Sequence, residues 1–468
     1  MKPSDLITKN SSRLFEQIYD HMMNRIERGD WKENEKLPSI RALAEELNVH
    51  RLTVFKAYQL LKQNGKVYVR DKSGYYVMPE NKPLFQRLDY PILSSYVQKS
   101  HLSEIHGIPA TYQFSQALID PTLLPNYYFS EYVKKVFDLY PKVLGTYSSV
   151  QGDEELRESL ACYFSVHEGI QATSDDLLIT TGAQQAIDLI AKVLIKPQDV
   201  ILIERPTYSA AIDIFRQQGG RMIPVEIHPD GYCLEQVELS MKHYRPRLFY
   251  LNPTFHNPTG YTVPQEQRKQ LVDLAERYQC LLVEDDSYRD IYFGEEPPLP
   301  IYSFDTDGWV MYVRSFSKYI APGLRISAVV TNPSLMKHLL TAKSLADNGT
   351  PLLNQKIFLH YFKSERLRKH LEKLRIALNI RKDVMEEELR ETGWEWLSPK
   401  GGLNLWINLK NKESMEELLA KSIEQSISFV PGSIFDPNRE LESWIRLSFS
   451  YINEKQIREG MKRFVNLF

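Results

Sequence analysis

The chain of 468 residues is poor in cysteine, with only Cys162, Cys233 and Cys280, far apart and lacking Cys-x-x-Cys or Cys/His ligand spacing. That excludes a disulfide framework and argues against a metal site, so the three are expected to be ordinary buried thiols in a reducing compartment. Long hydrophobic runs are missing too. No stretch approaches the length a membrane span needs, and the opening MKPSDLITKNSSRLFEQ holds no apolar core of secretory length, so a cytoplasmic protein with no membrane partner is expected. Charge of one sign does not dominate: 58 Lys and Arg stand against 60 Asp and Glu, leaving a net charge of -2, which neither predicts nor excludes a polyanionic partner. Internal repeats and low-complexity tracts are also absent.

What is present is an apolar fraction of 43% with 11% aromatics, enough to fill sizeable cores, in a chain long enough for two or three domains. Charge is distributed unevenly. Residues 1–80 carry 14 basic against 11 acidic side chains, so the small basic excess lies at the N-terminus. There, Phe15, Ile18, Tyr19, Met22 and Ile26 recur at helical spacing over residues 11–28, and Gly29 is a stop signal. LPSIRALAEEL predicts a second helix starting at Pro38-Ser39. After the turn NVH, RLTVFKAYQLLKQNG predicts a third, with Val54, Ala57, Tyr58 and Leu61 on one face and Arg51, Thr53, Lys56 and Gln59 on the other. KVYVRDKSGYYVM then reads as two strands joined by a tight Asp-Lys-Ser-Gly turn. Helix, helix-turn-helix and wing make a winged-helix order.

Residues 79–110 contain Pro79, Pro83, Pro91 and Pro109 among polar residues and show weak periodicity, so they are assigned as a linker. From 111 to 468 the pattern alternates helices with the apolar runs DLLIT, DVILIE, RLFYLN, CLLVEDD, WVMYVRSFSK and RISAVV. Continuous apolar character predicts strands buried on both faces, hence an α/β fold with a mostly parallel sheet covered by helices. Asn252, Asp285 and Ser315 fall at or just past the ends of such runs, where open α/β sheets bind ligands. HYFKSERLRKHLEKLRIALNIRKDVMEEELRETG is expected to form one long charged helix leading into a smaller α+β region.

SFSK (315–318) with Arg325, TGAQQAI (181–187), ERPTYSA (204–210), NPTFHNPTGYTVP (252–264), VEDDSY (283–288), PKGGLNLW (399–406) and IRLSFS (445–450) together resemble fold type I aminotransferases, in family order. The resemblance implies pyridoxal 5'-phosphate as cofactor, with Lys318 as its Schiff-base lysine. A desolvated or cation-flanked lysine has the lowered pKa that favours attack by its neutral amine. Gly182, Ala183 and Gln184 would offer helix N-terminal N–H groups to the phosphate, and Ser315, Ser317 and Arg325 would complete that cup. Asp285, preferred over Asp286 because it keeps Asp-x-x-Tyr spacing with Tyr288, would face the pyridine nitrogen. Tyr288 and Asn257 would hold the ring hydroxyl, and Tyr208 would stack on the ring. Arg446 would clamp a substrate carboxylate with its planar fork. YSSVQGDEELRESL (147–160) implies Tyr147 reaching the phosphate site of a neighbouring subunit and Gly152 lying near the substrate, hence a homodimer.

Residues 11–78 are similar to GntR-type winged helices. That resemblance implies an operator DNA partner faced by Arg41, His50, Arg51 and Thr53, with Lys72 to Gly74 as the wing. His50 stands where Ser or Asn is more usual, so base readout, phosphate contact and packing all stay open for it. The combined order resembles MocR-type transcription regulators. It implies a regulator that senses a small amino compound, or the cofactor itself, through aldimine formation at Lys318 without net turnover. The alternative is an active aminotransferase with an accessory DNA-binding domain.

Overall fold

Ile18 and Met22 are the residues that bury the first helix, α1 (Leu14–Glu27), and Gly29 turns the chain away at φ 79°. The computed structural model describes residues 14–70, 73–79, 101–410 and 414–468, in two units, Met1–Gln98 and Lys99–Phe468. In the first unit, Ser39 caps α2 (Ile40–Leu47) by accepting the Ala42 N–H at 3.1 Å, the job expected of a hydroxyl at that place. Asn48 ends α2 in the left-handed region at φ 54°. α3 (Arg51–Gln63) buries Val54, Ala57, Tyr58 and Leu61, the stripe read from the sequence. The Tyr58 hydroxyl donates to Pro38 O at 2.8 Å and ties α3 to the start of α2. β1 (Val67–Arg70) and β2 (Gly74–Val77) pair antiparallel as the wing, from Val67 opposite Val77 to Arg70 opposite Gly74.

The second unit is built on an eight-stranded sheet of β4 (Leu177–Thr180), β5 (Val200–Arg205), β6 (Arg221–His228), β7 (Gly231–Tyr232), β8 (Leu248–Leu251), β9 (Leu281–Asp286), β10 (Val310–Ser315) and β11 (Ser327–Val330), in the order β4-β11-β10-β9-β8-β5-β6-β7. All six apolar runs are strands of this sheet. β10, β9, β8, β5 and β6 run parallel; β11 is antiparallel to both β10 and β4, and β7 to β6, so six strands point one way. β4, β8, β9, β10 and β11 are buried at every position, as sheets covered on both faces require. The C-terminal part carries a four-stranded antiparallel sheet of β12 (Glu395–Trp396), β13 (Asn404–Asn408), β15 (Val430–Pro431) and β16 (Trp444–Ser448). Between them in chain order, β14 (Ile427–Ser428) pairs in parallel with β3 (Tyr112–Gln113) from the start of the unit.

Three expectations need correction. Residues 101–108, assigned to the linker, belong with the second unit: His101–His106 is helical, and Ile105 is buried with Trp406, Val430 and Phe435. One turn of helix carries too few apolar positions to show a period. The single helix expected over residues 360–393 is broken, because Leu352–Phe362 ends before Ser364, whose extended backbone (ψ 146°) starts a new helix at Glu365–Leu389. Finally, Cys162 and Cys233 are exposed, and only Cys280 is buried. Each of the first two flanks an apolar stripe rather than lying on it.

Candidate functional site

The turns that leave the carboxyl ends of β4, β5, β8, β9 and β10 converge on one cavity of about 160 Å³. Ala183, Gln184, Tyr208, Asn257, Asp285, Tyr288, Ser315, Ser317, Lys318 and Arg325 line it, ten residues drawn from five separate sequence motifs. Ser287, which the sequence does not single out, lines it as well, and so does Asn252, which the sequence places just past the end of the β8 run. Its side-chain amide donates to Asp285 O, its Oδ1 accepts the Asn257 N–H at 2.7 Å, and its own N–H donates to Glu204 at 2.8 Å. One residue thereby locks β8, β9 and the 252–264 loop together.

Asp285 is buried, and its two oxygens accept from the Tyr250 hydroxyl and the Ser287 hydroxyl, each at 2.7 Å. Burial raises its carboxyl to about 6, against the lowering effect of those two hydrogen bonds. Among the described residues no ion pair neutralises it. Lys318 moves the other way. Desolvation, followed by the charges of Arg446 and Arg325, lowers its amine to about 8, and Nζ donates to Ala117 O at 3.4 Å. The β4 turn is shaped for close approach: Gly182 has φ 86°, and an added Cβ would lie 2.3 Å from Arg325 Nη2. Only glycine lets that guanidinium rest against the start of helix Ala183–Leu194. Arg325 itself is left-handed at φ 55° and donates to Thr181 O at 3.2 Å.

Arg446, buried in the middle of β16, borders the site without lining the cavity. Its Nη1 donates to Asn257 Oδ1 at 3.3 Å and its Nη2 to Ser115 O at 2.6 Å, while Nε has no hydrogen-bond partner among the described residues. Burial lowers it to about 10. Ser115 O accepts a second bond, from His106 Nε2 at 3.1 Å, so the short helix at 101–106 reaches the edge of the site. Burial, then Arg446, lowers that imidazole to about 4 and keeps it neutral. Tyr147 is 85% exposed and lies outside the cavity. Gly152 is likewise not part of the lining. It is packed on β4, where an added Cβ would be 2.4 Å from Ile179.

Beneath the site lies a buried charge network that the sequence did not reveal. Arg314 on β10 binds Glu168 at 3.0 Å and Asp290 at 2.6 Å, and Asp290 also accepts the Tyr319 hydroxyl. This anchors the 287–290 turn to the residue after Lys318.

In the first unit, Arg51 is exposed and Thr53 half-buried at the start of α3. Arg41 is exposed and pairs with Glu45 at 3.1 Å. His50 caps α3, its Nδ1 accepting the Leu52 N–H at 3.2 Å. Gly74 opens β2 at φ 122°, and Lys72 lies outside the described residues. Arg70 stacks over the Tyr76 ring at 4.7 Å on the wing.

Residues 133–464 match the family described as aminotransferase class I and II. The chain belongs to that family. Residues 14–77 match the bacterial regulatory proteins of the gntR family, so the order is that of MocR-type regulators. The uncharacterized HTH-type transcriptional regulator YdfD of Bacillus subtilis is 29% identical over 96% of this chain and 94% of its own. The 2-aminoadipate transaminase of Thermus thermophilus is 35% identical over 78% of this chain and 93% of its own. The crystal structure of LysN, the α-aminoadipate aminotransferase of Thermus thermophilus, complexed with N-(5'-phosphopyridoxyl)-L-leucine, superposes with a TM-score of 0.74 at 32% identity, covering 80% of this chain and 95% of that one. The second unit is thus a pyridoxal 5'-phosphate domain of the aminotransferase fold, fused to a gntR-type winged helix.

Proposed function

We propose that this protein is a transcription regulator that binds operator DNA through residues 11–78 and, as a homodimer, senses a small amino compound at the cavity around Lys318. The observation that carries the reading is the convergence, in and beside one small cavity, of a lysine of lowered pKa, a buried carboxylate with no ion pair among the described residues and a buried arginine fork, in a chain that also presents a winged helix.

When bound, pyridoxal 5'-phosphate supplies an aldehyde carbon for primary amines and an electron-withdrawing ring. Lys318, near 8, keeps a useful fraction of neutral amine at neutral pH and so supplies the nucleophile. Asp285 provides the buried negative charge that a protonated ring nitrogen would neutralise, which relieves its own desolvation. Gly182, Ala183 and Gln184 at the helix start, with Ser315, Ser317 and Arg325, form a donor-rich cradle suited to a phosphate dianion. Tyr208 would face the ring, and Asn257 and Tyr288 its hydroxyl. Tyr147, extending from the surface, would serve the site of a second copy.

Arg446 would select effectors that carry a carboxylate. Its Nη2 now rests on a neutral carbonyl, Ser115 O, and its Nε has no hydrogen-bond partner among the described residues; a carboxylate offers both stronger, charge-assisted bonds. Taking Nη2 from Ser115 O would disturb the carbonyl that also holds His106, and residues 101–106 lie on the chain path that leads to the winged helix. Effector affinity would thereby differ between two states of that segment, the requirement for shifting an equilibrium.

The test is a titration of the full chain against its own upstream DNA, with and without pyridoxal 5'-phosphate and a panel of amines, in wild type and Lys318→Ala. Amine-dependent change in DNA affinity that Lys318→Ala abolishes is expected. Failure to bind DNA under every condition would sink the proposal. A second reading, a working transaminase with an accessory DNA-binding domain, is favoured by the retention of Lys318, Asp285, Asn257, Tyr288 and Arg446 together and by the transaminase relative. Sustained keto-acid production from an amino donor would decide for it.

A further inference from the structure

The face of α3 turned away from its core is not wholly polar. Val54, Ala57, Tyr58 and Leu61 fill the inner face, and at 3.6 residues per turn Leu52 falls opposite that stripe, beside Lys56 and Gln59, with Phe55 on its flank. Leu52 is 55% exposed and Phe55 40% exposed. Both sit within the first two turns, among the exposed cations Arg51 and Lys56 and close to the positive end of the helix. An apolar pair surrounded by positive charge suits a polyanion that carries apolar groups of its own. In a major groove the one apolar group among the base edges is the thymine C5-methyl. Leucine and phenylalanine have no donors or acceptors, so against the polar edges of G or C they would desolvate groups without pairing them.

We infer that Leu52 and Phe55 read thymine methyl groups in the operator and set part of its base sequence. The inference rests on the DNA-binding reading above. Residues three apart on a helix are about 4.5 Å apart along its axis, so the two thymines lie on the same or neighbouring base-pair steps.

A random duplex pool selected with the full wild-type chain supplies the probe. Each thymine of the selected sequence is then replaced singly by deoxyuridine, which removes only the methyl group, and binding is measured for wild type, Leu52→Ala and Phe55→Ala. The wild type should lose about three- to tenfold in affinity at one or two thymines, and the matching variant should lose nothing further at its own position. Because both side chains are exposed, each variant should melt as the wild type does; Leu52→Gln supplies a second variant, for which the preference should move away from thymine on reselection. Indifference of the wild type to every thymine-to-deoxyuridine change, or equal sensitivity of variants and wild type, would overturn the inference while leaving DNA binding intact. A pool that yields no sequence bound above random DNA would overturn the DNA-binding reading itself.

Discussion

Lys318 lines one small cavity and Arg446 borders it; burial lowers both, and the charge of Arg446 lowers Lys318 further. The sign of the pH effect follows directly. A lysine lowered to about 8 gains neutral amine tenfold per pH unit up to that value and none above it, whereas an ordinary lysine would keep gaining toward 10.5. Association of pyridoxal 5'-phosphate with the apo-protein, followed by stopped-flow absorbance, should therefore accelerate up to about pH 8 and then level off. Arg446→Ala should weaken binding of carboxylate-bearing amines by roughly 10- to 100-fold, the worth of a charge-assisted pair, and leave amines without a carboxylate within about twofold. Titration of the cofactor absorbance with matched pairs of amines separates the two. The sequence made Lys318 and Asp285 legible through their motifs and Asn252 through its place at the end of an apolar run, but not Ser287, because a single polar residue in a turn carries no pattern of its own.

At the level of elements, α3 depends on its first turn. Replacing His50 by Ala removes the acceptor for the Leu52 N–H and should cost about 0.5–1 kcal/mol in the winged-helix melting transition. The β10 strand depends on Arg314 in a different way. Arg314→Ala would leave buried Glu168 with only the longer Arg289 contact at 3.8 Å as an ion pair and Asp290 with tyrosine hydroxyls, and should cost about 3–5 kcal/mol by denaturant unfolding of the second unit. The strands themselves were readable as unbroken apolar runs because both faces of the sheet are covered. β6 and β7, at one end of the sheet, were not, since β6 is partly exposed and includes Pro224. The short helix at His101–His106 escaped notice for a related reason: its burial comes from Trp406, Val430 and Phe435, more than 300 residues later.

For the whole molecule, the division at Gln98 and Lys99 predicts separable activities. Residues 99–468 alone should bind pyridoxal 5'-phosphate as the full chain does, sediment as a dimer and fail to retard operator DNA. Absorbance, sedimentation velocity and gel shift check the three parts. Loss of cofactor binding in this fragment would show that the winged helix is needed to complete the site.

Local periodicity and turn chemistry, which act over a few residues, were enough to read the element order of the first unit, the apolar stripes of α1 to α3 and the six apolar strands of the large sheet from the sequence. The sequence also carried the family resemblance, since each motif is contiguous. Tertiary structure alone decided what each motif meets. It brought β4, β5, β8, β9 and β10 to one edge of a cavity, set Arg446 against Ser115 and Asn257, pulled His106 to the same carbonyl, and left Leu52 and Phe55 outside the core that their neighbours fill. Those outcomes depend on contacts between residues far apart in the chain, and on burial that shifts charge, neither of which a linear pattern contains.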